Sequence, residues 1–197
     1  MNKRKQKAWA KFGLLVLVFA LVIGVAVFFS LNTIYKAVYP MDYSFEIDKY
    51  ADEYDVPRAL MYAVIHTESG FDPDAVSDAG ALGLTQITPE TFEWLQTKTG
   101  ETYSKEALHD PDVSVEYGAL FYSLLLEEFG NDPKTAAAAY HAGRGQVNRW
   151  LQNPDYSQNG VTLDVIPTKD TNHYVHKVLK AMDIYSNLYE KELAEDV

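Results

Sequence analysis

The sequence predicts a mostly α-helical domain with at most a small β-hairpin, preceded by one transmembrane helix. Two observations support this fold class. A run of twenty residues without charge, Phe12 to Leu31, lies near the N-terminus. In the remaining chain, helix caps and apolar residues spaced by three or four positions recur, whereas strand-like alternation does not. The 197 residues therefore divide into a membrane segment and one domain of ordinary size.

The N-terminal segment has the composition of a membrane anchor. Residues 12–31, at about 1.5 Å rise each, span a hydrocarbon core of about 30 Å. Five basic residues precede this run and none follows until Lys36, so we expect a cytoplasmic N-terminus and an exported remainder. The predicted divisions are a cytoplasmic basic segment at 1–11, a transmembrane signal anchor at 12–34, a linker at 35–46 and a domain at 47–197. A cleaved secretion signal has the same order of basic, apolar and polar residues, although its apolar core is usually only about 7–15 residues long.

The charge of the exported part excludes some partners. All 28 Asp and Glu follow residue 40, together with 11 of the 17 Lys and Arg, so the formal charge there is 11 minus 28, or −17. Such a surface repels phosphate backbones, and we expect no nucleic-acid partner. The chain contains no Cys, so the exported domain folds without disulfides.

Helix signals begin directly after the predicted linker. The polar segment EIDKYADEYD, residues 46–55, predicts a short first helix in the domain. Pro57 suits the first turn of a second helix, which Gly70 is placed to end. This second helix is apolar on nearly every face, as is typical of a helix at the centre of a core.

Further helices follow in order. Thr88 and Pro89 predict the cap and first turn of a helix through Lys98, and Asp112 is the predicted cap of a long helix that Gly130 ends. Asp132 and Pro133 open an alanine-rich helix. The remaining predicted elements are a short helix at 144–152, a last helix with an apolar stripe from Val175 to Tyr185, and a small hairpin within 80–87.

Glu68 lies at the end of the second helix of the domain. It follows Val64 and Ile65 by four and three residues, so its carboxylate leaves an apolar face. Burial at such a face raises a carboxyl pKa and keeps the acid protonated near neutrality, as a general acid requires. A Glu at a helix end also commonly pairs with a base or turns to solvent, so this helix alone leaves both interpretations open.

Three later segments carry residues that suit a binding cleft. The segment GALGLTQI supplies Gly80 and Gly83, which permit close backbone approach, and Gln86, whose amide both donates and accepts hydrogen bonds. The segment AYHAG places Tyr140 at a helix end between small residues. The segment IPTKDTNHYV brings Tyr174 to the start of the last helix.

Taken in order, these segments resemble the soluble-type (SLT) catalytic domain of the lytic transglycosylases. This family is related to goose-type lysozyme and cleaves the glycan strands of peptidoglycan. The resemblance covers Ile47 to Tyr189 and implies a lysozyme-like α-helical fold. The matching motifs are ESGF at 68–71, GALGLTQITPET at 80–91, AYHAG at 139–143 and IPTKDTNHYV at 166–175.

The resemblance implies a role for each site residue. Glu68 corresponds to the single catalytic acid and base of the family. Ser69 and Gln86 correspond to contacts with the substrate in the cleft, and Tyr140 and Tyr174 are expected to line the cleft and position the acid and the sugar. His141, which lies within the third motif, is a further candidate for a substrate contact. Three departures put substrate-side preferences in doubt: Thr85 stands where Met is usual, His141 replaces Asn, and 170–172 replace Glu-Thr-Arg.

The implied reaction needs no metal and no cofactor. Glu68 protonates the oxygen between N-acetylmuramic acid and N-acetylglucosamine, and the N-acetyl carbonyl stabilises the oxocarbenium-like centre. The ionised Glu68 then takes the proton of the C6 hydroxyl, which closes a 1,6-anhydro ring. The acids nearest in sequence, Asp72, Asp74 and Asp78, lie in a loop that we expect to be exposed. His173 and His176 are three residues apart and could share a metal, but a solvated pair is the more common arrangement.

Two rival functions share features of this sequence. A muramidase that uses water would have the same fold and the same Glu68, and a non-catalytic wall-binding scaffold would keep the fold alone. The expected partners are peptidoglycan glycan strands and the membrane that holds the N-terminal helix. Anchoring would hold the cleft near the outer membrane face, where envelope-spanning machinery passes, so such machinery is a further candidate partner.

Overall fold

This computed structural model describes residues 3–194. The chain forms two compact units, one ending at Pro40 and the other beginning at Met41. The first two residues of the predicted basic segment and the last three of the predicted domain lie outside the described residues.

The first unit is a single helix, α1, from Lys3 to Val38. Its described apolar side chains are exposed, and Leu15–Val38 is long and apolar enough to cross a membrane. Within the predicted linker, α1 continues to Val38 and the next helix begins at Ser44. Only residues 39–43 are therefore non-helical between the two helices.

The second unit contains the other helices of the described chain. They are α2 (Ser44–Glu53), α3 (Arg58–Glu68), α4 (Pro89–Thr99), a 3₁₀ helix (Lys105–His109), α5 (Pro111–Glu128), α6 (Pro133–Ala142), α7 (Arg144–Leu151), α8 (Lys169–Leu188) and α9 (Glu190–Ala194). The sequence analysis did not predict the 3₁₀ helix or α9. The described residues contain no strand, only isolated antiparallel bridges that join Leu82 to Val76 and to Ile87. The mostly α-helical fold is thus confirmed, and the expected hairpin is reduced to these bridges.

Side-chain caps set the start of several helices. The Thr88 hydroxyl accepts from the Thr91 amide at α4, and the Asp132 carboxylate accepts from the Thr135 amide at α6. The prediction that Asp112 caps α5 is wrong. Asp110 is the cap, and its carboxylate accepts from the Asp112 amide. Pro111 takes the first helical position, where its missing amide hydrogen costs nothing, so α5 starts earlier than the apolar pattern suggests.

Helix α3 lies at the centre of the second unit. Its residues from Ala59 to Ile65 are all buried, and it packs mainly against α8. The alanine-rich α6 packs against α5, α7 and α8, and Ala136–Ala139 are fully buried there because small side chains allow close approach. This packing brings the C-terminal end of α3 beside α5, α6 and α8.

Candidate active site

Glu68 is the last residue of the central helix α3. The buried segment before it fixes the direction of this half-buried side chain. Burial raises the pKa of Glu68 to about 7, and a hydrogen bond from Tyr174 partly opposes this rise. Near neutrality the carboxyl therefore exists in both protonation states, which suits a group that gives and takes protons.

Tyr174 of α8 holds one oxygen of this carboxyl. Its hydroxyl donates to Glu68 Oε1 at 2.6 Å, across 106 residues of sequence. Burial strongly raises the pKa of Tyr174, so the phenol stays neutral and keeps its proton for this bond. Because Oε1 accepts this bond, Oε2 is the oxygen that can hold the transferable proton.

Tyr140 of α6 lies next to this pair but binds elsewhere. Its hydroxyl donates to the backbone carbonyl of Thr85 at 2.6 Å, and its ring stacks on Tyr122 with centroids 4.6 Å apart. Tyr140 therefore fixes the segment 80–87 against α6, and its hydroxyl proton is already used.

Ser69 joins the end of α3 to the same segment. Its hydroxyl donates to the Leu84 carbonyl at 2.8 Å and accepts from the Phe71 amide at 3.1 Å. The serine thus sets the distance between Glu68 and the glycine-rich backbone.

Gln86 lies in the segment with a positive φ of 51°. Its amide nitrogen donates to the carbonyls of Gly83, at 2.9 Å, and Ala75, at 3.0 Å. Both amide hydrogens are therefore used, and the side-chain oxygen remains as an acceptor for a ligand hydroxyl or amide.

Gly83 shows why this segment contains glycine. A Cβ at this position would lie 1.8 Å from the Leu108 carbonyl oxygen, and the backbone has a φ of +72°. The lack of space excludes a side chain, and the positive φ would strain one. The segment can therefore lie directly on the 3₁₀ helix that carries Leu108.

Thr85, one of the departures from the family motif, points into the core. The side chain is fully buried, and its hydroxyl donates to the Ser114 carbonyl of α5 at 2.9 Å. A Cβ on Gly118 would lie 2.4 Å from the Thr85 methyl group. This substitution therefore affects packing against α5, while the Thr85 carbonyl serves Tyr140.

His141 lies on the outer side of Tyr174. Its exposed ring is tilted against the Tyr174 ring, with centroids 4.6 Å apart, and its Nδ1 lies 3.3 Å from the Thr171 hydroxyl. Partial burial lowers the pKa of His141, whereas Asp170 raises it. The histidine is therefore mostly neutral at neutral pH and can offer either a donor or an acceptor to a ligand.

The nearby acids and histidines do not add a second reactive group. Asp72, Asp74 and Asp78 are exposed in the described structure. No group of three or more His, Asp or Glu side chains within the described residues could hold a metal ion. His173 and His176 are both exposed on α8.

The structure brings Glu68, Tyr174 and His141 together, and it connects Ser69, Gln86 and Tyr140 to the adjoining segment. It adds Tyr122 of α5, which sequence reasoning missed. Burial and the charge of Glu68 raise the pKa of Tyr122. Its apolar helical context gave no sign of this position, because aromatic residues at helical spacing usually mark a core.

Comparisons with known proteins agree on one family. The sequence profile of the transglycosylase SLT domain matches residues 45–160. The soluble lytic murein transglycosylase of Escherichia coli (strain K12) is 31% identical over 154 residues, which are 75% of this chain and 23% of that protein. The membrane-bound lytic murein transglycosylase C of Haemophilus ducreyi is 28% identical over 164 residues, which are 72% of this chain and 45% of that protein.

A solved structure gives the same result for the fold. The lytic transglycosylase Slt of Pseudomonas aeruginosa, crystallised as an inactive glutamate-to-glutamine mutant, superposes with a TM-score of 0.70 at 30% identity. The match covers 77% of this chain and 25% of that one. This chain thus spans between 23% and 45% of the length of these relatives.

Proposed function

The chain belongs to the transglycosylase SLT domain family, and from this premise we propose that it is a lytic transglycosylase that cleaves the glycan strands of peptidoglycan. One observation carries the proposal. The acid at the family's catalytic position, Glu68, has its pKa raised to about 7 by burial and has one oxygen fixed by Tyr174. That arrangement suits a group that first donates and then accepts a proton.

In the proposed reaction, Glu68 acts without a second carboxylate. Protonated Glu68 donates through Oε2 to the oxygen that links N-acetylmuramic acid to N-acetylglucosamine. The C1–O bond breaks, and the neighbouring N-acetyl carbonyl oxygen stabilises the positive centre. The exposure of Asp72, Asp74 and Asp78 supports this route, because the described residues offer no buried carboxylate partner near Glu68 in sequence.

The second step closes the product ring. Ionised Glu68 takes the proton of the muramic acid C6 hydroxyl, and the C6 oxygen forms a bond to C1, so a 1,6-anhydro end results and no water is consumed. Tyr174 keeps its bond to Oε1 through both steps. This bond stabilises the carboxylate formed between them.

The other predicted residues would position the sugar chain. Gln86 offers its side-chain oxygen, and His141 offers a ring nitrogen beside Tyr174. Ser69 and Tyr140 act indirectly, because their hydroxyls hold the glycine-rich segment. Gly80, whose side-chain position is open, then lets the sugar approach the backbone closely.

Product analysis tests the reaction type. The full chain is incubated with purified peptidoglycan and the soluble muropeptides are weighed by mass spectrometry. A lytic transglycosylase yields anhydro ends that are lighter by one water than reducing ends. Reducing muramic acid ends alone would favour the rival muramidase, and the absence of any release would favour a wall-binding scaffold.

The acid is tested by Glu68→Gln, with Glu93→Gln on the exposed face of α4 as the matched control. Removing a general acid typically costs about 10²- to 10⁴-fold in rate. We expect that loss for Glu68→Gln and an unchanged rate for Glu93→Gln, measured as muropeptide release. Equal rates in both variants would contradict the assignment of Glu68.

We also propose a location for the protein. The apolar span of α1, Leu15–Val38, with basic residues before it in the same helix, supports a single-pass anchor whose second unit lies on the outer face of the membrane. The relative from H. ducreyi is named as membrane-bound. Mature protein in the culture medium that begins after residue 30 would instead indicate a cleaved signal. Capture of envelope-spanning machinery by the anchored chain would identify the further partner.

A further inference from the structure

Helix α5 carries a buried tyrosine next to the candidate active site. Tyr122 has no exposed surface, and its ring is nearly parallel to that of Tyr140, with an interplanar angle of 22°. The Tyr122 hydroxyl forms no hydrogen bond that meets ordinary geometry within the described structure. Buried hydroxyls without a partner are rare in native proteins because they lose their hydration without compensation.

Packing alone does not account for this hydroxyl. The preceding residue, Phe121, packs its ring against the same Tyr140, with centroids 5.1 Å apart. A phenylalanine at position 122 would fill nearly the same volume without a buried polar atom. The presence of the Tyr122 hydroxyl must therefore be explained by the polar groups around it.

The groups that face Tyr122 come from three other helices. They are Glu68 of α3, Tyr140 of α6 and Tyr174 of α8. Burial is the main cause that raises the pKa of Tyr122; the hydroxyl of Tyr174 lowers this pKa, and the Glu68 charge raises it. Tyr140 is already bound to Thr85. The Tyr122 hydroxyl is thus buried beside the Tyr174–Glu68 pair and forms no hydrogen bond to either residue.

The outer side of the pair is occupied by a different group. His141 lies against Tyr174, and Asp170 acts on the pKa of His141. Among these neighbours, the exposed His141 therefore contacts the pair from outside, whereas Tyr122, which has no exposed surface, lies on the buried side.

A hydrogen bond between the hydroxyls of Tyr122 and Tyr174 could have only one direction. Tyr174 has one hydroxyl proton and donates it to Glu68 Oε1. The Tyr174 oxygen can then only accept, and Tyr122 carries a proton that it can give. A hydroxyl that accepts a hydrogen bond becomes a stronger donor, so this contact would strengthen the bond to Glu68.

We propose that Tyr122 is a positioning residue whose hydroxyl donates to the Tyr174 oxygen and so holds the Tyr174 proton on Glu68 while this carboxyl is ionised. This inference rests on the proposed function, in which Glu68 loses its proton to the leaving oxygen and later regains one. Neutral Glu68 carries no charge that a second hydrogen bond would have to stabilise. After proton donation, the negative charge on Glu68 draws the Tyr174 hydroxyl towards it, and the Tyr122 hydroxyl then donates to the Tyr174 oxygen.

The test measures the Glu68 ionisation directly in the full chain, held in detergent micelles. Glutamate is labelled with ¹³C at the carboxyl carbon, and the Glu68 signal is identified by its loss in Glu68→Gln. In Tyr122→Phe we expect the Glu68 titration midpoint to rise by roughly half a pH unit, which is about a threefold change in ionisation constant. The alkaline limb of the rate of muropeptide release should move in the same direction.

Tyr117→Phe is the matched control on the same helix. Tyr117 is also fully buried, but its hydroxyl bonds to Thr99 and Glu101. We expect this control to lower the melting temperature and leave the Glu68 midpoint unchanged. At a pH where Glu68 is neutral, Tyr122→Phe should not lower the melting temperature, because the hydroxyl it removes has no hydrogen-bond partner in the structure and the proposed contact forms only when Glu68 is ionised.

A second variant tests the route through Tyr174. Tyr174→Phe alone should raise the Glu68 midpoint, and adding Tyr122→Phe to it should raise the midpoint no further. A midpoint in Tyr122→Phe equal to or below that of the wild type would overturn the proposal, as would additive shifts in the double variant. If the midpoint rises but wild-type protein releases no muropeptides, the proposed function fails and the Tyr122–Tyr174–Glu68 connection stands.

Discussion

At the scale of single residues, the environment of Glu68 acts in two opposed directions. Burial at the end of α3 favours the neutral acid, and the Tyr174 hydrogen bond favours the carboxylate. Because burial is the larger influence, the pKa lies at about 7, above the ordinary value of 4.5. The buried position of Glu68, which makes the proposed reaction feasible, therefore also lowers the stability of the folded protein at neutral pH.

The first prediction concerns this cost. The folded pKa lies above the unfolded one, so the contribution of Glu68 to stability is fully present below about pH 4.5 and is lost as the pH rises to about 7. Glu68→Gln cannot ionise, so it should be more stable than the wild type at pH 8 by up to about 3 kcal/mol. Denaturant unfolding at both pH values measures this, and the advantage should disappear near pH 4. An advantage that does not depend on pH would contradict the raised pKa.

The second prediction concerns the rate. The proposed reaction starts from protonated Glu68, so muropeptide release should fall about tenfold per pH unit well above pH 7. Initial rates on purified peptidoglycan between about pH 5 and pH 9 measure the midpoint. Circular dichroism over the same range controls for unfolding. A rate still rising beyond about pH 8 would exclude Glu68 as the acid.

At the scale of elements, the segment 80–87 depends on close backbone contact. Its bridges join Leu82 to both Val76 and Ile87, and Gly83 lies against the Leu108 carbonyl. The glycines of this segment are not equivalent, since a Cβ on Gly80 would have no atom within 4 Å. Substitutions at Gly83 and Gly80 therefore distinguish the cost of a steric clash from the cost of a strained backbone.

The third prediction uses this pair. Gly83→Ala should destabilise the fold by more than about 4 kcal/mol, because the new methyl group would overlap a backbone carbonyl. Gly80→Ala should lower the free energy of unfolding by only about 1–2 kcal/mol, the cost of an alanine at positive φ. Urea unfolding of both variants measures the difference. Similar losses at the two positions would show that the Leu108 contact is not tight.

At the scale of the whole molecule, the two units differ in what surrounds their apolar side chains. The described apolar side chains of α1 are exposed, whereas α3, α5 and α6 bury theirs within the second unit. The second unit thus has its own core, and α1 has the length and composition to place its apolar surface in lipid.

The fourth prediction follows from this division. Deletion of residues 1–40 should move the protein from the membrane fraction to the soluble fraction and leave its rate on purified peptidoglycan unchanged within about twofold. Fractionation and muropeptide release measure the two effects, with the full chain as control. Precipitation of the shortened chain, despite its complete core, would indicate that the second unit needs the anchor to fold.

Local features of the sequence were enough to predict most helices of this protein and the position of its candidate acid. Apolar spacing and cap residues predicted most helices, and the position of Glu68 at the end of an apolar helix followed from its distance to Val64 and Ile65. The cap of α5 was misjudged because Asp110 and Asp112 carry the same side chain on either side of Pro111. Family motifs, rather than local physics, singled out Tyr140 and Tyr174.

Only the tertiary structure decided which of these side chains meet. Periodicity tells which face of one helix is apolar, but it does not tell which faces pack together. For this reason, the sequence could not show that Tyr174 reaches Glu68 across 106 residues or that the Tyr140 hydroxyl is used by Thr85. Tyr122, with its buried hydroxyl beside both, is distinguished from an ordinary core residue only by where α3, α5, α6 and α8 converge.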